Sequence, residues 1–463
     1  MAVFYLSGTI KNNMFLPTII LKGLLFRRHD TWRREQVLTL SEIRFRNLLK
    51  WAYRMIPFYR DYYQRQGLKE KDLAHLNSHD LPTLTKDTVR ENLTALALYP
   101  PQREEIENAK RREESLIKVG RYFLIHSSGS TGAPTDFLYS PEAIALVQAN
   151  FLRLCLQGEI PLRWTDLPPR VLFVSSVGRG YASTTLALLG FKSYHARFLI
   201  LPIEEALSHW PKKLANFTAN FLAGYPSCLK ILGELNERGI TTIRPKKVIT
   251  GGEPLTKEDA SFFARVFASD IIDYYGSSES LFIGAGGNTY EGIYLYDDMN
   301  YVETDALGRL IITPLYNKAF PLLRYQLNDI VLGFTKEGKG PLPYTHVEKI
   351  LGRNEEMMWF KNEQNEWDFL HPLSLDDFNV PGLRAYQFIQ DSDRSFHLKV
   401  MRSPEIAKDE LKRLLINQLL FILRKKRLQN VQFTVEFVSE LKIDEKTGKF
   451  RLVEKSPHIN PMI

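Results

Sequence analysis

His126-Ser127-Ser128-Gly129-Ser130-Thr131-Gly132-Ala133-Pro134-Thr135 interleaves small hydroxyl residues with two glycines and is entered from the apolar run Tyr122-Phe123-Leu124-Ile125. A strand that stops at such a loop offers its backbone N–H groups to an anion, because glycine permits close approach and the hydroxyls add donors. That chemistry suits a phosphate. A Walker loop is excluded, since no lysine follows the last glycine and Ala133-Pro134-Thr135 stands there instead. Taken alone, the stretch is equally a Gly/Ser turn, so the choice rests on the rest of the chain.

The surroundings read as α/β. Asp136-Phe137-Leu138-Tyr139 is a return strand, and Ser140-Pro141-Glu142 supplies a helix cap, an N1 proline and a first-turn acid. Further strand-like runs stop at glycine: Arg170 to Val174 before Gly178, Lys247 to Thr250 before Gly251-Gly252, and Asp270 to Tyr275 before Gly276. Helical stretches lie between them, which gathers a ligand site at strand ends. Leu40 to Leu68 reads as helices, and Gln102 to Lys118 as a solvated helix face with alternating charges. Pro404 to Leu428 reads as a helix leading into the strand pattern Val431 to Phe437, a small α+β unit. With 463 residues, the chain is long for one core. The expected division is a large domain over 1–352 and a small one over 353–463.

Composition narrows the function classes. Lys and Arg number 61 against 53 Asp and Glu, a formal charge of +8 that favours anionic ligands, and no basic run interleaved with aromatics points to nucleic acid. The two cysteines, Cys155 and Cys228, lack metal-ligand spacing and fit a reducing cytoplasm. His75 and His79 share i, i+4 spacing without a third ligand, so zinc is not expected. The apolar segment Met14 to Phe26 is interrupted by Pro17 and Lys22 and is too short to span a bilayer; surface packing is expected, with peripheral membrane contact the lesser alternative.

Three other stretches supply chemistry. Tyr274-Tyr275-Gly276-Ser277-Ser278-Glu279 puts an aromatic, hydroxyls and a carboxylate at a strand end; the carboxylate can hold Mg2+ against phosphate oxygens. Phe320 to Asp329 ends on an acid able to accept both hydroxyls of a ribose. Lys446-Thr447-Gly448-Lys449-Phe450-Arg451 projects a lysine from a turn, a point charge suited to phosphate. Phe173, Tyr225 and Phe282 are candidates for an apolar acyl lining, and Gly284-Ala285-Gly286-Gly287 reads as a turn beside it. His126 either touches substrate or is held by an ordinary hydrogen bond.

Read in order, Ser127-Ser128-Gly129-Ser130-Thr131-Gly132, Tyr275-Gly276-Ser277-Ser278-Glu279, Arg324 to Asp329, Gly352-Arg353-Asn354-Glu355 and Gly448-Lys449 resemble the core motifs of the adenylate-forming enzymes. Within them the chain looks most like the phenylacetate-CoA ligase and capsular-polysaccharide-associated branch. Thr135 stands where most other adenylating enzymes have lysine, and Tyr53 to Tyr59 followed by Leu81 to Lys86 resembles that branch's N-terminal region. The resemblance implies a large α/β adenylate-forming domain and a small mobile α+β domain. It implies that the loop Ser127 to Gly132 holds the β- and γ-phosphates of ATP, Gly251-Gly252-Glu253 lines the adenine pocket, Tyr275 flanks the base and Ser278 meets the α-phosphate. Glu279 would ligate Mg2+, Asp329 would bind ribose with Arg353 nearby, Glu355 would be the hinge, and Lys449 would bridge carboxylate and α-phosphate. The implied reaction joins a carboxylate to AMP and passes the acyl group to CoA. An acyl-carrier-protein thiol and a glycan-precursor hydroxyl or amine are alternative acceptors, and a non-catalytic nucleotide-binding protein is the alternative of another class.

Overall fold

The computed structural model describes residues 15–112, 114–127, 135–176, 181–287, 290–351, 357–371, 375, 380–441 and 452–455. Its centre is an eight-stranded sheet. Five strands are parallel, in the spatial order Arg197–Pro202, Arg170–Ser175, Phe221–Gly224, Lys247–Gly251, Asp270–Tyr275. The chain steps to one side of Arg170–Ser175 for its next strand and to the other side thereafter, which opens a crevice at the carboxyl ends. Gly284–Gly287, Tyr290–Leu295 and Thr345–Val347 complete the sheet in antiparallel pairing.

The Gly284–Gly287 segment is therefore a strand, where a turn was expected. Glycine is needed because a Cβ at Gly284 would lie 2.4 Å from the Tyr294 carbonyl oxygen. The helix expected over 102–118 is shorter than its charge pattern, running Arg103–Lys110; Ile117–Val119 pairs instead with Tyr122–Leu124. His75 and His79 fall in or beside two short 3-10 turns, not on one helix face. The cap at Ser140 is as read: its Oγ accepts from Ala143 N at 3.2 Å and opens the helix Pro141–Cys155.

A three-stranded sheet carries the Gly/Ser loop. Tyr122–His126 pairs with Asp136–Tyr139, His126 opposite Asp136. Ser127 N donates to Thr135 O at 2.9 Å and Thr135 N to Ser127 Oγ at 2.8 Å, so the loop is pinned at its neck. Ser128, Gly129, Ser130, Thr131 and Gly132 lie outside the described residues. A further four-stranded sheet runs Asn300–Thr304, Arg309–Pro314, Tyr325–Leu332, Lys349–Leu351, and its third strand brings Asp329 to the crevice.

The smaller C-terminal part has its own sheet, ordered Gln432–Phe437, Ser395–Arg402, Leu383–Ser392, Val453–Lys455. Helix Lys408–Lys425 buries Leu411, Leu415, Leu419 and Leu423, one per turn, in the same core. The hairpin Met358–Lys361/Trp367–Leu370 has two apolar faces: Trp359 and Phe369 join the large part's core, Met358, Phe360 and Leu370 the small part's. At the N-terminal side, helix Phe15–His29 buries Ile19 and Phe26 and lays Gly23 against Leu152. Among the described residues no helix is long and apolar enough to cross a membrane.

Candidate active site

A cavity of about 2030 Å³ opens over the carboxyl ends of the parallel strands. Its wall includes Ser127, Gly251, Gly252, Glu253, Tyr275, Gly276, Ser278, Glu279 and Asp329, so residues spread over some two hundred positions of sequence meet in one place. Arg353, the hinge candidate Glu355 and Lys449 lie outside the described residues.

Each wall segment is positioned by local chemistry. Gly252 has φ +82°, and a Cβ there would lie 2.9 Å from the Tyr225 ring, so the turn after Lys247–Gly251 admits only glycine without strain. Glu253 then turns inward. Its carboxylate accepts from Ser227 N at 3.0 Å and Ser227 Oγ at 2.8 Å, and it meets His371 Nε2 at 2.7 Å. Burial pushes the Glu253 carboxyl up, but the His371 contact and the Ser227 donors outweigh it and hold the group below the usual range.

Tyr275 and Asp329 come from different sheets and join across the cavity, the tyrosine Oη donating to Asp329 Oδ2 at 2.7 Å. Burial, then the Asp329 charge, pushes the Tyr275 phenol well above its ordinary value, so it stays a donor. Ser278 Oγ donates to the His126 carbonyl at 3.3 Å, and Tyr139 Oη donates to the Ser278 carbonyl at 2.8 Å. These bonds tie the strand-end turn to the neck of the Gly/Ser loop. His126 itself is satisfied: Nδ1 sits 2.6 Å from Asp136 Oδ1, whose other oxygen receives Lys110 Nζ at 2.9 Å.

Glu279 is half-buried and forms no ion pair with a described residue; its carboxylate accepts from the Tyr325 hydroxyl at 3.2 Å, and the Ser277 hydroxyl also bonds to it. Burial is the main cause that lifts its carboxyl above the usual value, because desolvation disfavours the charged form. Among the described residues no three His, Cys, Asp or Glu side chains cluster as a metal cage. One carboxylate beside the strand-end hydroxyls Ser277 and Ser278 fits Mg2+, which is held by few protein ligands plus substrate phosphates.

Phe173 and Tyr225 line the cavity as expected. Phe282 does not: it is fully buried, packed edge-on to Phe151 and Tyr296. The sequence reading missed Asp273, Tyr325 and His371. Asp273 lines the cavity on the Gly251 side, and burial pushes its carboxyl up to about 6, with Thr250 Oγ1 donating at 3.0 Å in partial relief. Asp273 sits two residues before the Tyr-Gly-Ser-Ser-Glu motif, which was its available signal; His371 had none.

Comparisons with known proteins agree with this arrangement. A family model described as AMP-binding enzyme matches residues 59–309, more than half of the chain. The phenylacetate-coenzyme A ligase of Thermus thermophilus is 24% identical over 351 residues, 71% of this chain and 73% of that protein. Protein CapK of Staphylococcus aureus is 21% identical over 471 residues, 91% of this chain and 93% of that one. Among solved structures, a 2-hydroxyisobutyryl-CoA ligase in complex with 2-HIB-AMP and CoA superposes with a TM-score of 0.58 at 18% identity, covering 93% and 92% of the two chains. That last likeness speaks to the fold.

Proposed function

Because this chain belongs to the AMP-binding enzyme family, as an AMP-forming acid–thiol ligase, we propose that it activates a small-molecule carboxylate as an acyl-adenylate and transfers the acyl group to CoA. The observation that carries this reading is the meeting of Ser127, Gly251 to Glu253, Tyr275 to Glu279 and Asp329 around one cavity. A carboxylate attacking a polyanion is opposed chiefly by repulsion and by charge on departing pyrophosphate, so fixed donors and positive charge lower the barrier. The pinned Gly/Ser loop would supply donors to the β- and γ-phosphates, Asp329 would anchor the ribose, and Lys449 would bring a positive charge from the small domain beginning near residue 353. Mg2+, held by Glu279, would neutralise phosphate charge. The setting proposed is the cytoplasm.

A second reading, transfer to a carrier-protein thiol or to a glycan-precursor hydroxyl or amine, is favoured by the likeness to CapK, which runs over more of the chain than the likeness to the ligase. Carboxylate-dependent exchange of labelled pyrophosphate into ATP, followed with and without CoA, tests both. Exchange with thioester formed on adding CoA is the expected result. Adenylate that never becomes a CoA thioester would remove CoA as acceptor, and no exchange with any acid would leave a non-catalytic nucleotide-binding protein.

A further inference from the structure

The nucleotide-facing residues occupy only the strand-end part of the cavity. Its wall continues back along one sheet face, beneath helices Pro141–Cys155 and Ala182–Ser193, as far as Leu162, Pro169 and Ala196. The floor of this arm is Val171 and Phe173, Phe221 and Ala223, and Ile249 on three adjacent strands, with Val171 beside Phe221 and Phe173 beside Ala223. Ala187 and Phe191 form its roof. From Gly224 back to Phe221 are three strand steps, roughly 10 Å at about 3.3 Å each.

This arm is lined mainly by apolar side chains. Among the described residues no Asp, Glu, Lys or Arg side chain lines it, and its polar groups are already used: Gln148 Nε2 donates to Leu186 O at 2.8 Å and Tyr194 Oη to Gln148 O at 2.8 Å. Burial pushes the Cys155 thiol up to about 12, which keeps it neutral. The two faces of the sheet also differ. Val171, Phe173 and Phe221 keep 9%, 7% and 8% of their surface, whereas Leu172, Val174 and Leu222, pointing the other way, keep 1%, 0% and 0%. The floor residues keep that exposure while packing on one another and on the roof, Phe173 edge-on to Phe191 with ring centroids 5.9 Å apart, which makes the arm narrow between them.

We propose that this arm receives the tail of an elongated apolar acyl chain, so that the carboxylate substrate is a straight-chain fatty acid of about ten carbons or more instead of a compact aryl acid. The inference rests on the adenylating reading above. Extended methylenes advance about 1.3 Å each, given C–C bonds near 1.5 Å, so roughly 10 Å of floor accommodates on the order of eight. A single ring on one methylene would leave most of the arm without contacts, which a close-packed site does not favour.

The test is pyrophosphate exchange by the full chain with straight-chain acids from acetate to palmitate, and with phenylacetate and benzoate. The expected kcat/KM rises about three- to fourfold per added methylene until the arm is filled, then levels, with decanoate above phenylacetate by at least about tenfold. A flat profile, or a peak at acetate, propionate or phenylacetate, overturns the arm's role while leaving adenylation standing. Saturable binding of cis-parinaric acid, read by its fluorescence, separates the arm from turnover: binding without exchange for any acid would keep the arm and overturn adenylation, and absence of binding would overturn the arm. In Ala223→Leu, checked for native circular dichroism, the decanoate-to-butyrate ratio should fall by about tenfold or more; an unchanged ratio also overturns the proposal.

Discussion

Tyr275→Phe deletes one oxygen, which donates a hydrogen bond to Asp329 Oδ2 at 2.7 Å. If Asp329 holds the ribose, this phenol orients the carboxylate, because it remains protonated at any working pH and can only donate to an anion. A hydrogen bond to a charged group contributes about 1.5–3 kcal/mol. At about 1.4 kcal/mol per factor of ten, the upper limit on the KM for ATP is roughly a hundredfold increase. Asp329 lies on a cavity open to water, which can replace part of the lost bond, so about tenfold is expected. The ribose lies away from the reacting atoms, so kcat should change little. Asp329→Ala should raise the KM by about a hundredfold, and the double variant should be no worse than Asp329→Ala, since the phenol acts through a carboxylate no longer there. Initial-rate pyrophosphate exchange over an ATP series gives all four corners of this cycle. A double variant whose loss is the product of the single losses, or Tyr275→Phe within twofold of wild type, would refute the coupling.

Glu279→Gln keeps an acceptor for Tyr325 and removes the charge; the Mg2+ concentration for half-maximal exchange should rise and kcat should fall about 100- to 1000-fold. Burial raises the Glu279 carboxyl, so in the wild type the half-saturating Mg2+ concentration should climb, as pH falls, sooner than an ordinary glutamate would dictate, and the Gln variant should lack this dependence. For Asp273, burial holds the folded-state pKa at about 6, above the ordinary aspartate value of 3.8, so stability is lost as pH rises through that range. Asp273→Asn should therefore stabilise by at most roughly 3 kcal/mol at pH 8 and by nothing below about pH 4, measured as a pH series of denaturation midpoints. Lys426→Met strips buried Asp368 of its ammonium partner at 2.8 Å and leaves it the backbone donors Leu207 N and Phe369 N, so destabilisation near the lower end of about 3–5 kcal/mol is expected; Asp368→Asn in that background should recover part of it in thermal unfolding.

What the sequence disclosed was local. Ser140-Pro141-Glu142 marks its helix because a cap, a fixed φ and a first-turn acid act within four residues, and the strands ending at Gly251 and Gly276 show because glycine interrupts an apolar run. The helix read over 102–118 shows the opposite case. Its charges persist at helical spacing, yet Ile117 and Val119 are buried by pairing with Tyr122–Leu124, and that long-range packing outranks propensity. Gly284–Gly287 carries a single methyl, Ala285, to signal a strand; the Tyr294, Gly292 and Ile271 carbonyls, which a Cβ at Gly284, Gly286 or Gly287 would meet, explain the glycines.

The pairs that shape the site are of the second kind. Tyr275 reaches Asp329 across 54 positions, Glu279 reaches Tyr325 across 46, and Glu253 reaches His371 across 118. The last contact couples two parts of the molecule. His371 follows the hairpin whose Trp359 and Phe369 sit in the large part's core, and its ring lies 4.8 Å from Tyr225, so the C-terminal part completes one wall of the cavity. Burial alone would raise the Glu253 carboxyl; it is held low because His371 and Ser227 act together. Withdrawing His371 would therefore raise the carboxyl and cost the large part a compensated charge. The position of the C-terminal part and the ionisation of a residue lining the cavity are thus energetically linked, a coupling that neither segment's sequence expresses on its own.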